Sequence, residues 1–263
     1  MAPAFAPKKP QMKYYFLFAV LALFFIVSCM DDDDSVTGDV ATTINFRAEF
    51  DGAPLAIQSR TYNYPSGADL KVQLFQYYLS DLELLPAGGG AAISLADIEL
   101  IRWMSATEDE IESRTYQVPA GTYTGLRFGL GVSPDLNAQD PNNFAADFVL
   151  NENEFWNAAT RYVFAKIEAN ADLENDGTFD TPLTYHLGSD AIYTTITFDQ
   201  AIEIDGNGDP QLTVVADVLK ALASNTEVFD ISNPDQQRVH GGNQAVATDI
   251  WNRLSAQFTL EVR

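Results

Sequence analysis

The chain has 263 residues, 46% of them apolar, and carries 15 Lys and Arg against 37 Asp and Glu for a net charge of −22. That length and apolar content suit one packed domain of the all-β size range, or at most two. The acid excess argues against nucleic acid as a partner, because phosphate binding needs clustered cations. The single cysteine, Cys29, excludes an intrachain disulfide.

Lys8, Lys9 and Lys13 precede an apolar run over residues 14–27, which ends at Ser28 and Cys29. A basic start, an apolar stretch short for a membrane span and a small residue at the boundary predict a secretory signal peptide over residues 1–28. An uncleaved N-terminal anchor is the alternative. Ile26-Val27-Ser28-Cys29 resembles a bacterial lipobox, with Ile in the place usually held by Leu. The resemblance implies that Cys29 is lipidated, starts the mature chain and anchors it in a membrane. Asp31, Asp32, Asp33 and Asp34 follow, and four adjacent carboxylates repel one another into an extended, solvated form. Residues 29–41 are therefore read as an acidic tether. Its position is similar to the export signal of Bacteroidetes-type lipoproteins, which implies the outer membrane and a surface-exposed protein. A plain tether would also fit a protein facing the periplasm.

The folded part is read as residues 42–263. In residues 43–50, Ile44, Phe46, Ala48 and Phe50 alternate with polar side chains, the period of a strand with one buried face. Residues 70–85 form a longer run whose phase slips: Val72 and Leu74 share one face, Phe75, Tyr77 and Leu79 the other, and Leu82 and Leu84 return to the first. Such slips mark bulges or bends. Residues 86–90 read as a loop, 93–104 as a strand or mixed segment and 108–112 as an acidic loop. Pro119-Ala120-Gly121 supplies turn chemistry before Leu126, Phe128, Leu130 and Val132, which alternate with Arg127, Gly129 and Gly131. This stretch predicts a central hairpin. Its glycines leave one surface low enough for another group to come close.

Beyond Val132 a polar stretch predicts an ordered loop or a short helical excursion. Phe155 and Trp156 lead into a strand over residues 162–168 that is apolar on both faces. Residues 194–204 and 212–219 read as further strands. Val246, Ile250 and Leu254 have helical spacing, with Asn243 as the N-cap, and Phe258, Leu260 and Val262 alternate as a last strand. Many short strands with turn signals predict an all-β antiparallel β-sandwich with one short C-terminal helix before the last strand.

Two acidic loops suggest calcium. Asp172, Glu174, Asp176 and Asp180 stand at alternate positions around Gly177, like the first half of a calcium loop, but Leu183 stands where a bidentate Glu would close it. Asp205, Asn207 and Asp209 form a shorter cluster of the same kind. Acidic Gly-rich turns also occur without metal. The two histidines are His186 and His240. Each could be a metal ligand or simply a hydrogen-bonding residue. No GxSxG, GxxxxGK, HExxH or CxxC pattern occurs, so the chain is not read as an enzyme.

Tyr77-Tyr78-Leu79-Ser80-Asp81-Leu82, the 118–132 stretch, Phe155-Trp156 with residues 162–166, and Tyr185-His186-Leu187-Gly188 follow one another as they do in MbnP-like proteins, and the chain resembles that family from about residue 42 to the C-terminus. These are copper-binding β-sandwich proteins named for methanobactin-associated operons. The resemblance implies a mononuclear copper site built from His186 and His240 with Trp156 nearby. It also implies, as in some members, a Trp oxidised to kynurenine by a di-haem peroxidase-like partner. Trp103, Trp156 and Trp251 all stay open for that role. The chain departs from some relatives in lacking cysteine pairs, and two histidines exclude a three-histidine site. Two functions result: a lipid-anchored protein binding one copper ion, or a calcium-stabilised surface module for adhesion or glycan binding without copper. Histidines brought together beside a Trp favour the first, and histidines far apart the second.

Overall fold

The computed structural model describes residues 38–106, 111–151, 154–206, 211–223, 228–240 and 244–263. The first strands are β1 (Asp39–Phe50), β2 (Ala53–Pro54), β3 (Tyr62–Asn63), β4 (Asp69–Pro86), β5 (Ile93–Trp103), β6 (Ile111–Pro119) and β7 (Gly121–Leu130). A short helix α1 (Pro134–Asn137) and a 3-10 turn (Pro141–Asn143) follow, then β8 (Phe155–Asn157), β9 (Arg161–Tyr162), β10 (Ala165–Asp172) and β11 (Thr181–Leu187). The chain continues through β12 (Thr194–Phe198), β13 (Ile202–Ile204), β14 (Gln211–Asp217), α2 (Val218–Leu222), β15 (Arg238–His240), α3 (Gln244–Ala256) and β16 (Thr259–Val262). Among the described residues, no helix is long and apolar enough to cross a membrane.

The strands form a sandwich-like all-β fold. One sheet runs β16-β14-β1-β2, with β6 also on β1. The larger runs β12-β7-β4-β10-β11-β15, with β13 on β7 and both β3 and β5 on β4. One continuous core joins them, from Ile44 and Phe46 of β1 through Phe75 and Tyr77 of β4 to Ile250 and Leu254 of α3. The alternation read in β1 is what buries Ile44, Phe46, Ala48 and Phe50. The helical spacing of Val246, Ile250 and Leu254 likewise turns one face of α3 inward. The proposed N-cap, Asn243, lies outside the described residues.

Several expectations need correction. The pairing is mixed: β1–β14 and β11–β15 are parallel, while the other registered pairs are antiparallel. β6 and β7 are not a hairpin, because β6 pairs with β1 and β7 with β4, β12 and β13. The chain changes sheets at Ala120, whose N–H donates to the Gly38 carbonyl at 3.0 Å, while the Tyr123 hydroxyl donates back to the Pro119 carbonyl. Pro119 has no N–H to carry the ladder on, so the strand ends and turns the corner there. β1 begins at Asp39, inside the stretch read as tether, and β6 begins at Ile111, inside the stretch read as an acidic loop.

The strand read over 194–204 is β12 and β13. Phe198 pairs with Leu126 and Ile202 with Tyr123, so this side carries one more residue than β7 and the ladder breaks there. The strand read over 162–168 is split between β9 and β10, with Arg161 at a φ of 62° turning the small β8–β9 hairpin. The 212–219 strand stops at Asp217, whose side chain accepts from the N–H groups of Leu219 and Lys220 and so starts α2. The phase slips of β4 are real irregularities, at Gln73 against β10 and near Asp81 against β7. The low surface at Gly129 is filled by Tyr193, whose hydroxyl lies only 1.7 Å from where a Cβ would stand.

Candidate metal centre

Residues on adjacent strands in direct register point to the same side of a sheet. Across the larger sheet one such row runs Arg102 (β5), Gln76 (β4), Lys166 (β10), His186 (β11), His240 (β15). On β10 and β11 the alternate positions, Ile167, Ala169, Leu183, Tyr185 and Leu187, face the core, so this polar row lies on the outward face. Burial changes along it: Gln76 is buried, whereas His240 on the terminal strand β15 is exposed.

His186 and His240 are register partners, and their ring centroids are 4.6 Å apart. The Trp156 ring from the β8–β9 hairpin meets both edge-on, with centroids 5.7 Å from His186 and 5.1 Å from His240. Trp156 is 43% exposed, while Trp103 and Trp251 are 1% exposed. Trp103 stacks on Phe75 in the core, and the Trp251 indole N–H donates to the Thr194 hydroxyl. Of the three tryptophans left open by the sequence, Trp156 alone touches the histidines.

The rings border a cleft of about 30 Å³, lined also by Thr160, Arg161, Tyr162, Val163 and Gly188. That volume is of the order one water molecule needs, so the cleft suits an ion rather than an organic ligand. Gly188 is required here. A Cβ would stand 2.6 Å from the Tyr162 carbonyl oxygen and 2.9 Å from the Phe164 nitrogen, both backbone atoms.

His186 Nε2 is 2.7 Å from Glu168 Oε1. A carboxylate only accepts, so Nε2 carries the proton and the lone pair is left on Nδ1. Burial lowers the His186 pKa from its ordinary 6.5, against the raising effect of the Glu168 hydrogen bond. The imidazole is thus held neutral, the form that binds metal. Nitrogen donors of this kind fit copper.

Glu154 lies beside the row and is 8% exposed. Its Oε1 pairs with Arg102 Nη2, and its Oε2 accepts from Lys166 Nζ at 2.5 Å and Gln76 Nε2 at 3.1 Å. Arg102 Nε also donates to Gln76 Oε1 at 2.7 Å. Neither Glu154 nor Glu168 was singled out from the sequence. The signal for Glu168 was its place two residues from Lys166 on one strand face, but only the register brings it to His186.

The other candidates do not gather. The Asp172 carboxylate accepts from the N–H groups of Asp176 and Gly177, and Asp176 accepts from Thr178 N–H. These carboxylates close their own turn, in the manner of Asx turns. Among the described residues, no three His, Cys, Asp or Glu side chains are grouped so as to hold an ion. Asn207, Asp209, Cys29 and the acidic run 31–34 lie outside the described residues.

With this geometry in view, the MbnP family model matches residues 37–240. The chain belongs to the MbnP family. The solved structure of MbnP from Methylosinus trichosporium superposes on this member with a TM-score of 0.54 at 16% identity, covering 85% of this chain and 99% of that one. That likeness carries the fold. No curated protein matches.

Proposed function

We propose that this MbnP family member is a non-enzymatic extracytoplasmic protein that binds a single copper ion through His186 and His240. The observation that supports this reading is the in-register His186–His240 pair beside Trp156. Two imidazoles suit Cu(I), which accepts a low coordination number. His186 gives Nδ1, Glu168 fixes its ring, and the Trp156 indole keeps water from one side of the cleft. The ion, when bound, would supply redox-active metal chemistry. The half-exposed Trp156 is the ring that a di-haem peroxidase-like partner could reach and oxidise. The reading includes a lipid anchor on Cys29 that holds the protein at the outer membrane.

The test is Cu(I) affinity by competition with a chromophoric chelator, for wild type, His186→Ala and His240→Ala. A shared site predicts that each change weakens binding at least tenfold, about 1.4 kcal/mol, and that the double change adds little. Two small and independent losses would sink the proposal. For the anchor, Cys29→Ala is expected to release the protein from the membrane fraction.

A further inference from the structure

We infer that Glu154 is the positioning residue that holds Trp156 against the two histidines. Among the described residues β8 pairs with β9 and with no strand of the larger sheet, so no ladder fixes β8 itself to the face it covers. Glu154, two residues before Trp156, provides that fixing. Its carboxylate is buried and receives Arg102, Gln76 and Lys166, one donor from each of β5, β4 and β10. These donors are consecutive members of the same row that ends in His186 and His240. The row therefore grips the hairpin at one end and meets its indole at the other. The backbone adds a second tie, since Val163 N–H donates to the Glu154 carbonyl at 3.2 Å.

The charges agree with this role. Arg102 and Lys166 are cations held on the sheet, and Glu154 is the carboxylate that pairs with both. A buried carboxylate with three donors stays where its donors are, because leaving would unpair Arg102 and Lys166 at once. Phe155 and Tyr162 pack edge to face at 5.1 Å within the hairpin. Tyr162 also anchors the β9 side in the core, with its hydroxyl on the Leu150 carbonyl and its N–H on Asn137 Oδ1, so Glu154 has the β8 side to hold. Trp156 itself keeps 43% of its surface exposed, so a large part of the ring has no packing neighbour of its own.

The inference gives the proposed copper site its means of placing the indole, and its main test uses no metal. Acrylamide quenching of tryptophan fluorescence in the metal-free protein reads Trp156, because Trp103 and Trp251 are 1% exposed; subtraction of Trp156→Phe removes what they contribute. In Glu154→Ala the Trp156 quenching constant is expected to roughly double, since the clamped ring is 43% exposed. Glu154→Gln keeps one acceptor oxygen and is expected to give an intermediate value. If Glu154→Ala does not fold, Gln76→Ala removes one donor and is expected to raise quenching by a smaller amount. Wild-type quenching in a folded Glu154→Ala protein, judged by its near-ultraviolet circular dichroism, would overturn the inference. Copper competition on the same variants separates the two readings. Raised quenching with wild-type copper affinity upholds the clamp and removes Trp156 from the metal site. If the wild type binds no copper, the copper proposal fails while quenching still decides the clamp.

Discussion

His186 and His240 stand opposite each other across a parallel strand pair, with ring centroids 4.6 Å apart. Neighbouring strands are spaced about 4.8 Å apart, so the sheet itself sets the separation of the two imidazoles. Little side-chain freedom is spent in bringing them together.

Glu168 orients one member of that pair. Glu168→Ala is expected to weaken Cu(I) binding about tenfold, at the lower end of what loss of a ligand's hydrogen-bonding partner usually does. Glu168→Gln, whose amide oxygen can still accept from Nε2, should lose less. The chelator competition that tests the histidines serves here. Equal affinity in all three proteins would leave Glu168 without a role at the site.

Gly188 forms a wall of the cleft by letting residues 162–164 come against the end of β11. Gly188→Ala puts a methyl against the backbone of Tyr162, Val163 and Phe164, which has no rotamer to change. A loss of about 1–3 kcal/mol is expected, the usual range for overpacking. Urea unfolding measures it, and an unchanged midpoint would show that the backbone yields freely.

Asp217 is 1% exposed and accepts from four backbone N–H groups: Asp51 and Gly52 after β1, and Leu219 and Lys220 at the start of α2. Asp217→Ala strands all four donors at once. The expected cost is about 3 kcal/mol, with Asp217→Asn between that value and wild type. A cost below that of an ordinary surface substitution would mean that water replaces the carboxylate.

The Asp172 turn supplies its own acceptors for its N–H groups. Millimolar calcium added after chelation is therefore expected to leave the thermal midpoint unchanged, while Asp172→Ala lowers it with or without the ion. A calcium-dependent rise that disappears in Asp172→Ala would instead support the calcium loop expected from the sequence.

Tyr193 lies over Gly129 and its hydroxyl reaches Asp81 at 3.4 Å. Burial, helped by the Asp81 charge, pushes its pKa from 10.0 up to about 12. The folded state holds this proton more tightly than the unfolded chain does. Its contribution to stability is full below pH 10 and is lost as pH rises towards about 12. Tyr193→Phe should flatten that part of the alkaline stability curve, followed by urea unfolding at several pH values. A curve with the same slope would assign the alkaline loss to other tyrosines.

Strand faces were legible in the sequence because period-2 alternation states which side chains point together. Ile44 and Phe46, or Leu126 and Phe128, needed nothing more. Partner choice was not legible, since alternation is silent about which strand lies alongside. Hence Pro119-Ala120-Gly121 read as a hairpin turn, although it is a corner between sheets. The candidate site followed the same division. His186, His240 and Trp156 could be named as residue types in family motifs, whereas Glu168 gained its meaning from register and Glu154 from the side chains it meets across the sheet. Asp217 lay unremarked inside the stretch read as a strand over 212–219, because nothing local reveals a carboxylate facing the start of a helix and a distant turn together.

The pairing of β1 with β14 has a consequence for the order of assembly. Thr43 sits beside Gln211, and β16, at the far end of the chain, completes the same sheet. A chain that appears from its N-terminus first has no partner for this face of β1 until residues 211–217 are present. Contacts so distant in sequence fold slowly, because a long loop must close before they form. His240 follows β14, so the second imidazole arrives later still. Until then His186 has no register partner, and the row it belongs to is incomplete at that end.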